Sequence, residues 1–482
     1  MSKLLLFFVF YMMIISFRMF AQTPNEMLTQ QPEEIYRQSL DEVLKTIEQR
    51  YGVHLIYNIK NTKDKVVDYA AWRFRTDVKQ TLDNVLKPLE MVWTEKGKDS
   101  FEIRKYEYFR KEISEGQKQL EAFEKLYTTS AQFESRKQQI KECIFKTLGI
   151  DPAVKRNNLN PIFHNKRIMD GYTVENVAFE SIPGYFVCGS LYKPIKEGKH
   201  AAILCPHGHF YNKVAPMIPD ERGRYRPDMQ YRCAALAKMG AIVFDYDMYS
   251  YGESANQSGS DTFHQTNFAL AIQTWNSIRA IDFLYSLPDI DTNRIGMTGA
   301  SGGGTQTFIA TALDERIRAS CPVVMVSSSF YGGCNCESGL PIHSCGNTNN
   351  AEIAAMAAPR PQLVISDGSD WTQTVPSIEF PYLQKVYNLY GKKENVKNVH
   401  LPLDGHDYGF TKRVPVYRFF ADVFSLNINA IKDKQGEITE SFITIETAKQ
   451  QQVFDKDFPM PEYALKTHEE IIKAFAKAQQ GD

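Results

Sequence analysis

The stretch RIGMTGASGGGTQTFIATAL at residues 294–313 restricts the fold more than any other part of the chain. Its first residues predict a strand and its last residues a helix, so the glycines between them predict a very tight turn. Glycines two residues before and two residues after Ser301 remove side chains that would collide in such a turn. The segment Gly299–Gly303 fits G-x-S-x-G, which holds a serine in a strained conformation and exposes its hydroxyl above a sheet.

A phosphate-binding loop is the competing interpretation of these glycines. A Walker loop requires a lysine directly after its last glycine, and none follows here. A dinucleotide fingerprint can only be forced onto Gly296–Gly304, and this segment lies late in the chain. The third alternative is an ordinary glycine-rich turn with a passive serine, and it leaves the fit to G-x-S-x-G unexplained.

A serine hydroxyl becomes a nucleophile when a base removes its proton, so the expected chain order is serine, acid, histidine. The histidines after Ser301 are His343, His400, His406 and His468. His406, in the loop LDGHDYG just after a strand, is the predicted base. Asp370, after the turn glycine in SDGSDWTQ, is the predicted acid, and Asp367 is the alternative, with turn capping as its other role.

The developing oxyanion of an acyl-transfer reaction needs two N–H donors. The stretch CPHGHF ends an apolar strand at residues 205–210 and supplies a suitable loop. The backbone N–H groups of His209 and Gly302 are the predicted donors, while the imidazoles of this loop are expected to be structural. We expect no metal and no cofactor in the reaction.

From residue 170 onward, apolar strands alternate with helices. This pattern predicts the α/β fold class, with a mostly parallel sheet covered by helices on both faces and preceded by a small α+β domain. The predicted division is a signal peptide at 1–21, a linker at 22–36, a small domain at 37–105, a helical connector at 106–150, a catalytic domain at 151–428 and a C-terminal extension at 429–482.

The N-terminus predicts export. Lys3 precedes the apolar run Leu4–Phe17, and the small residue Ala21 offers a cleavage point. An uncleaved anchor is the alternative, but Arg18 and a polar stretch follow at once. We therefore expect a periplasmic or secreted protein without a membrane span after cleavage. A net charge of -1 gives no basic field for nucleic acid.

The small domain has two helical patterns, at residues 39–52 and 77–90, with a strand between them and a hairpin after them. Its pattern L-x-x-V-L-x-x-I-x-x-x-Y-G-V and the stretch TLDNVLKPL resemble the N-terminal domain of secretins and TonB-dependent receptors. The resemblance implies contacts with envelope proteins. The alternative is a generic module that caps the catalytic domain. In the connector, the stripe Leu120, Phe123 and Leu126 is expected to face a core.

Three of the eight cysteines cluster in the stretch GGCNCESGLPIHSCG. Cys334 and Cys336 are too close in sequence to pair comfortably, so a disulfide from one of them to Cys345 is expected. A metal site is the alternative, although C-x-C lacks the usual zinc spacing.

The region from about 150 to 428 resembles α/β-hydrolases of the acetyl xylan esterase-like and dienelactone hydrolase-like group. The matching stretches are HGH, DMYSYGES, GASGGG, GGCNCE, TNNAEIAAMAAPRP, SDWT and GHDYG. The resemblance implies Ser301, Asp370 and His406 as nucleophile, acid and base, and an esterified plant polysaccharide or oligosaccharide as substrate. The loop between Cys336 and Asn349 is longer than the group pattern and adds a cysteine.

Two other functions compete with this one. The same machinery could serve a serine peptidase or a hydrolase of small esters or lactones, because the motif does not separate esters from amides. An envelope interaction protein with a passive hydrolase fold is the other alternative, and the full serine, acid and histidine set argues against it.

Overall fold

The computed structural model describes residues 36–106, 110–209 and 222–480. The chain divides into a smaller unit, residues 1–108, and a larger unit, residues 109–482. The predicted signal peptide and nearly all of the predicted linker lie outside the described residues. Among the helices that are described, none combines the length and the apolar character needed to cross a bilayer.

The smaller unit is an α+β domain, as predicted. Ser39 caps its first helix reciprocally with Glu42, and Gly52 ends that helix at a φ of 64°. Strands β2, β5 and β4 form a sheet in that order, with a β4–β5 hairpin. Its elements are β1 (Gln38–Ser39), α1 (Leu40–Tyr51), β2 (His54–Tyr57), α2 (Ile59–Thr62), β3 (Val66–Val67), α3 (Ala70–Arg73), α4 (Val78–Leu86), β4 (Met91–Gly97) and β5 (Ser100–Lys105).

The larger unit is built on one large sheet. Its strands are β6 (Ile162–Ile168), β7 (Tyr172–Ile182), β8 (Tyr185–Pro194), β9 (His200–Pro206), β10 (Ile242–Tyr246), β11 (Ile290–Ala300), β12 (Ala319–Val323), β13 (Gln362–Asp367) and β14 (Val396–Leu401). Its helices are α5 (Ile113–Leu126), α6 (Ser130–Leu148), α7 (Pro227–Lys238), α8 (Gly252–Ser258), α9 (Phe268–Ser286), α10 (Gly302–Leu313), α11 (Asn335–Ser338), α12 (Asn350–Ala355), α13 (Glu379–Asn388), α14 (Phe410–Phe424), α15 (Ala448–Gln451) and α16 (His468–Ala478).

The strand order of this sheet is β14-β13-β12-β11-β9-β10-β8-β7-β6. Strands β9 to β14 run parallel to one another. Strands β6, β7 and β8 pair antiparallel, and β8 joins β10 in the same way. Neighbouring residues of β9 belong to two different cores: Ala202 and Leu204 lie in one, and Ala201 and Ile203 in the other. Both faces are therefore covered, and the predicted α/β class is confirmed.

The two connector helices α5 and α6 pack into the core of the larger unit. Leu120 and Phe123 of α5 are buried there. Leu126 is 58% exposed, so the prediction that it faces the core is wrong. Leu126 is the last residue of α5, where the helix gives way to Tyr127, and Tyr127 takes the buried place instead.

The C-terminal extension completes a buried ionic cluster. Arg224 donates to the carboxylate of Glu253 at 2.6 Å, and both side chains are almost fully buried. The same carboxylate accepts hydrogen bonds from the backbone N–H groups of Val453 and Phe454 at 2.9 and 2.8 Å. Arg224 also donates to the carbonyl oxygen of Gln451 at 2.8 Å. The extension therefore supplies partners that this buried pair needs.

The disulfide of the larger unit joins Cys143 of α6 to Cys345. The prediction that Cys334 or Cys336 bridges Cys345 is wrong. The residues around Cys345 pack against α6, where Arg136 donates to the carbonyl oxygen of Gly346 at 2.8 Å. The bonded cysteine comes from 202 residues away, so local spacing could not identify it.

We expect Cys143→Ser to lower the free energy of unfolding by about 2–5 kcal/mol, because the disulfide restricts the unfolded chain across a very long loop. Thermal unfolding of Cys143→Ser, Cys345→Ser and the double variant measures this loss. All three variants should unfold at the same lower temperature, since each removes the same bond. Wild-type stability in any of them would contradict the pairing.

Candidate active site

Ser301 lies between the end of β11 and the start of α10, as the G-x-S-x-G pattern predicts. Its φ of 56° and ψ of -124° are unusual for a residue with a side chain. Such a conformation costs roughly 1–3 kcal/mol and persists where the surroundings hold it. Its N–H donates to the carbonyl oxygen of Val323 at 3.1 Å, and the residue is 6% exposed. The serine is therefore held in a strained turn at the carboxyl edge of the sheet.

The glycines on both sides of Ser301 allow the end of β9 and the residues after it to touch this turn. We call this segment, residues 206–209, the β9 loop. A Cβ atom on Gly303 would lie 2.3 Å from the carbonyl oxygen of Pro206, and one on Gly299 would lie 2.5 Å from the same atom. A Cβ on Gly302 would lie 3.3 Å from the imidazole of His209. The glycines thus bring the predicted oxyanion donors, Gly302 and His209, next to each other.

We expect Gly303→Ala to destabilise the protein by about 1–3 kcal/mol or more, because the new methyl group overlaps a fixed backbone oxygen. Gly97→Ala is the matched control, since a Cβ atom there meets no atom within 4 Å. Thermal unfolding of both variants measures the difference. Equal melting temperatures would contradict the close approach of the β9 loop.

The first N–H groups of α10 have no partners within the helix, and the helix dipole favours negative charge beside them. The Gly302 N–H is among them, since α10 begins at this residue. His207 holds the β9 loop: its Nε2 accepts a hydrogen bond from the backbone N–H of Met248 at 3.0 Å. Burial lowers the pKa of His207 to about 3, so this imidazole is neutral and structural.

The predicted acid and base are in contact. Nδ1 of His406 lies 2.6 Å from Oδ2 of Asp370. Strands β13 and β14 are neighbours in the sheet, so the loops that follow them meet at the same edge. The other oxygen of Asp370 accepts from the backbone N–H of Thr372 at 2.6 Å, and the Trp371 ring packs 4.6 Å from the His406 ring. The carboxylate and the imidazole therefore orient each other.

Asp367, the alternative acid, has a different environment. Its Oδ1 accepts from the backbone N–H of Ser369 at 3.0 Å, which is a turn cap. Its Oδ2 lies 3.5 Å from the ammonium of Lys412. Burial and the neighbouring Asp370 carboxylate raise the pKa of Asp367. The structure thus places Asp370, rather than Asp367, on the imidazole of His406.

The other three downstream histidines have structural contacts. His343 stacks on Tyr331 with ring centroids 4.0 Å apart. Nδ1 of His400 lies 2.9 Å from the hydroxyl of Ser366, and the ring of His468 stacks 4.1 Å from that of Phe263. These histidines lie in the cysteine loop, in β14 and at the start of α16, in that order.

Lys412 is a residue that the sequence analysis missed. Its side chain is fully buried, and its ammonium donates to the carbonyl oxygen of Gly405 at 2.6 Å and to Asp407 at 3.0 Å. These two residues flank His406. The ammonium therefore fixes the loop that carries the imidazole. The stretch GHDYGFTKR places this lysine early in the next helix, but only its burial distinguishes it from a surface lysine.

We expect Lys412→Met to lower kcat by about ten- to a hundredfold with a smaller change in KM, because a displaced imidazole loses its alignment. Lys432→Met is the control on an exposed lysine. The circular dichroism of both variants should be that of the wild type, so that only the loop is perturbed. Unchanged kcat in Lys412→Met would contradict a positioning role.

The strand order and the serine turn define an α/β-hydrolase, which confirms the predicted fold. The profile of the family described as "Glucuronyl esterase, fungi" matches residues 227–339, a range that includes Ser301. The solved structure of methylesterase BT1017 has 43% sequence identity to this chain and a TM-score of 0.80; the match covers 94% of this chain and 100% of the other. The chain therefore belongs to the family of this methylesterase and is a carboxylic ester hydrolase.

Two curated relatives match over shorter stretches. The putative hydrolase YtaP of Bacillus subtilis is 26% identical over 186 residues, which are 36% of this chain and 60% of YtaP. The acetyl esterase Axe7A of Xylanibacter ruminicola is 28% identical over 143 residues, which are 28% of this chain and 31% of Axe7A. The matches thus span less than two thirds of the length of these relatives.

Proposed function

We propose that the protein is an exported serine esterase that acts on esterified plant cell-wall polysaccharide. The observation that carries this proposal is the 2.6 Å hydrogen bond between His406 and Asp370, at the same sheet edge as the strained Ser301. Ser301 is the nucleophile, His406 the general base and Asp370 the acid that orients it. Export rests on the N-terminal sequence, and an envelope protein contact rests on the resemblance of the small domain.

The reaction follows from these roles. His406 takes the proton of the Ser301 hydroxyl at Nε2, because its Nδ1 is engaged with Asp370. The serine oxygen attacks the ester carbonyl, and the backbone N–H groups of Gly302 and His209 stabilise the oxyanion. The imidazolium then protonates the leaving alcohol and an acyl-enzyme remains. A water activated by His406 hydrolyses it, which releases the acid and restores the serine.

Two ester types fit this mechanism. With a methyl ester of a uronic acid, the sugar carboxyl forms the acyl-enzyme and methanol leaves. With an acetylated sugar, the acetyl group forms the acyl-enzyme and the sugar hydroxyl leaves. The whole-length similarity to a methylesterase favours the methyl ester. A serine peptidase or a hydrolase of small esters or lactones remains the alternative function, because the serine machinery also attacks those carbonyl groups.

The test is a substrate panel with purified residues 22–482. Methyl-esterified pectin, acetylated xylan and 4-nitrophenyl acetate are incubated with the enzyme, and methanol and acetate are measured separately. Methanol release from pectin that is lost in Ser301→Ala supports the methyl ester reaction, and acetate release from xylan supports deacetylation. If neither polysaccharide reacts, the polysaccharide esterase proposal fails, and peptide and lactone substrates are tested next.

A further inference from the structure

A cluster of two thiols and one imidazole lies beside Gly302. His209, Cys334 and Cys336 each offer a ligand atom, and these atoms all lie within 4.8 Å of one another. Nε2 of His209 is 3.0 Å from Sγ of Cys336. His209 follows β9, whereas both cysteines lie beyond β12, so two separate loops meet here. Imidazole nitrogen with two thiolates is a set of ligands that binds Zn²⁺.

A carboxylate supports the imidazole from the other side. Oε1 of Glu337 lies 3.2 Å from Nδ1 of His209, and the Glu337 side chain is only 4% exposed. Its Oε2 accepts the backbone N–H groups of Gly333 and Cys334 at 2.8 and 3.2 Å. Histidines that bind a metal through one nitrogen usually donate the other N–H to a carboxylate, which fixes the tautomer. A neutral His209 that donates Nδ1–H to Glu337 would present the lone pair of Nε2 to the thiols.

The distances suit a small cation. Zn–S bonds of about 2.3 Å and Zn–N bonds of about 2.0 Å at a tetrahedral angle separate nitrogen and sulfur by about 3.6 Å. The cluster reaches this separation if the 3.0 Å contact opens by about half an ångström.

We propose that His209, Cys334 and Cys336 bind a zinc ion, with Glu337 as the carboxylate that orients the histidine. The ion joins the β9 loop to the loop after β12. The fourth ligand is a water molecule or His264, whose ring centroid lies 5.4 Å from that of His209. A metal site was the alternative for these cysteines in the sequence, where their C-x-C spacing spoke against zinc. The spacing does not show the third ligand, since His209 comes from a distant loop.

The zinc site does not depend on the proposed function, although it has a consequence for it. A zinc ion bound to the His209 side chain would hold the backbone of the β9 loop against Gly302. The two residues are close, since a Cβ atom on Gly302 would lie 3.3 Å from the His209 imidazole. The ion thereby fixes one of the two proposed oxyanion donors. Removal of zinc is expected to lower kcat by about a hundredfold, the loss measured for a single oxyanion donor.

The experiment is a metal analysis of the purified chain, residues 22–482. The zinc content is measured by mass spectrometry for the wild type, Cys336→Ser and Glu337→Gln. Cys188→Ser is the matched control, because this buried cysteine lies in β8, outside the cluster. We expect about one zinc per chain in the wild type and in the control, and none in Cys336→Ser. Glu337→Gln keeps the ligands and should bind zinc about 10–100 times more weakly in a chelator competition.

Cobalt replacement and thiol counting complete the test. Cobalt in the wild type should give a thiolate charge-transfer band that Cys336→Ser loses. A metal-free wild type with free thiols would show a reduced cysteine pair without an ion, and a metal-free wild type with a Cys334–Cys336 disulfide would show an oxidised pair. Either result overturns the proposal, as does zinc binding that Cys336→Ser leaves unchanged. Ser301→Ala should keep its zinc, so loss of the esterase reaction is distinguishable from loss of the site.

Discussion

Replacement of Ser301 by alanine is expected to lower kcat for ester hydrolysis by about five to six orders of magnitude, because the acyl-enzyme can no longer form. The strained turn should survive, since its glycines and the hydrogen bond from the residue 301 N–H to Val323 remain. Oxyanion donors and substrate binding alone leave a small residual rate over water. Release of methanol or acetate at saturating substrate measures the change in kcat.

The control for this variant is Ser286→Ala. Ser286 is the last residue of α9, where its hydroxyl donates to the carbonyl oxygen of Phe283. Its replacement should leave kcat within a factor of about two, as is usual for a surface substitution. A loss of only a fewfold in Ser301→Ala would mean that another group is the nucleophile, and the proposed mechanism would be abandoned.

Asp370→Asn is expected to lower kcat by about three to four orders of magnitude with a modest change in KM. The amide of asparagine can donate a hydrogen bond to Nδ1, where the carboxylate accepts one now at 2.6 Å. The imidazole would then carry its proton on Nε2 and could not take the serine proton. The kcat of the variant, measured across the pH range, should recover in part at high pH, where hydroxide replaces the imidazole as the base.

Asp367→Asn is the matched comparison, because it makes the same chemical change three residues earlier, at the end of β13. Its carboxylate caps a turn and faces Lys412, so we expect a loss in kcat of less than about tenfold. Similar losses in both variants would show that the two carboxylates act as one unit. A larger loss in Asp367→Asn would reverse the assignment of the acid.

The sequence predicted the parts of the site that are local. The strand–turn–helix context of Ser301 follows from a few adjacent glycines, and the structure has that turn. The order of apolar strands and helices was sufficient for the α/β class. Asp370 and Asp367 differ little in sequence context, and the preference for Asp370 rested on its place after the turn glycine. In the structure it is the carboxylate of Asp370 that contacts His406.

The features that the sequence did not predict depend on contacts between distant segments. The partner of Cys345 lies in α6. The buried role of Lys412 depends on three carboxylates around its ammonium, those of Asp367, Asp404 and Asp407. The stripe of α5 was predicted one turn too far because periodicity does not show where a helix end leaves the core, as at Leu126. The signal peptide and the envelope contact of the small domain remain predictions.

The ionic cluster closed by the C-terminal extension sets a time order for the maturation of this chain. A polypeptide emerges from the ribosome N-terminus first, and Arg224 and Glu253 emerge about two hundred residues before Val453 and Phe454. Until then the Glu253 carboxylate lacks two of its donors, and its burial is unfavourable. The cluster can therefore close only late in synthesis.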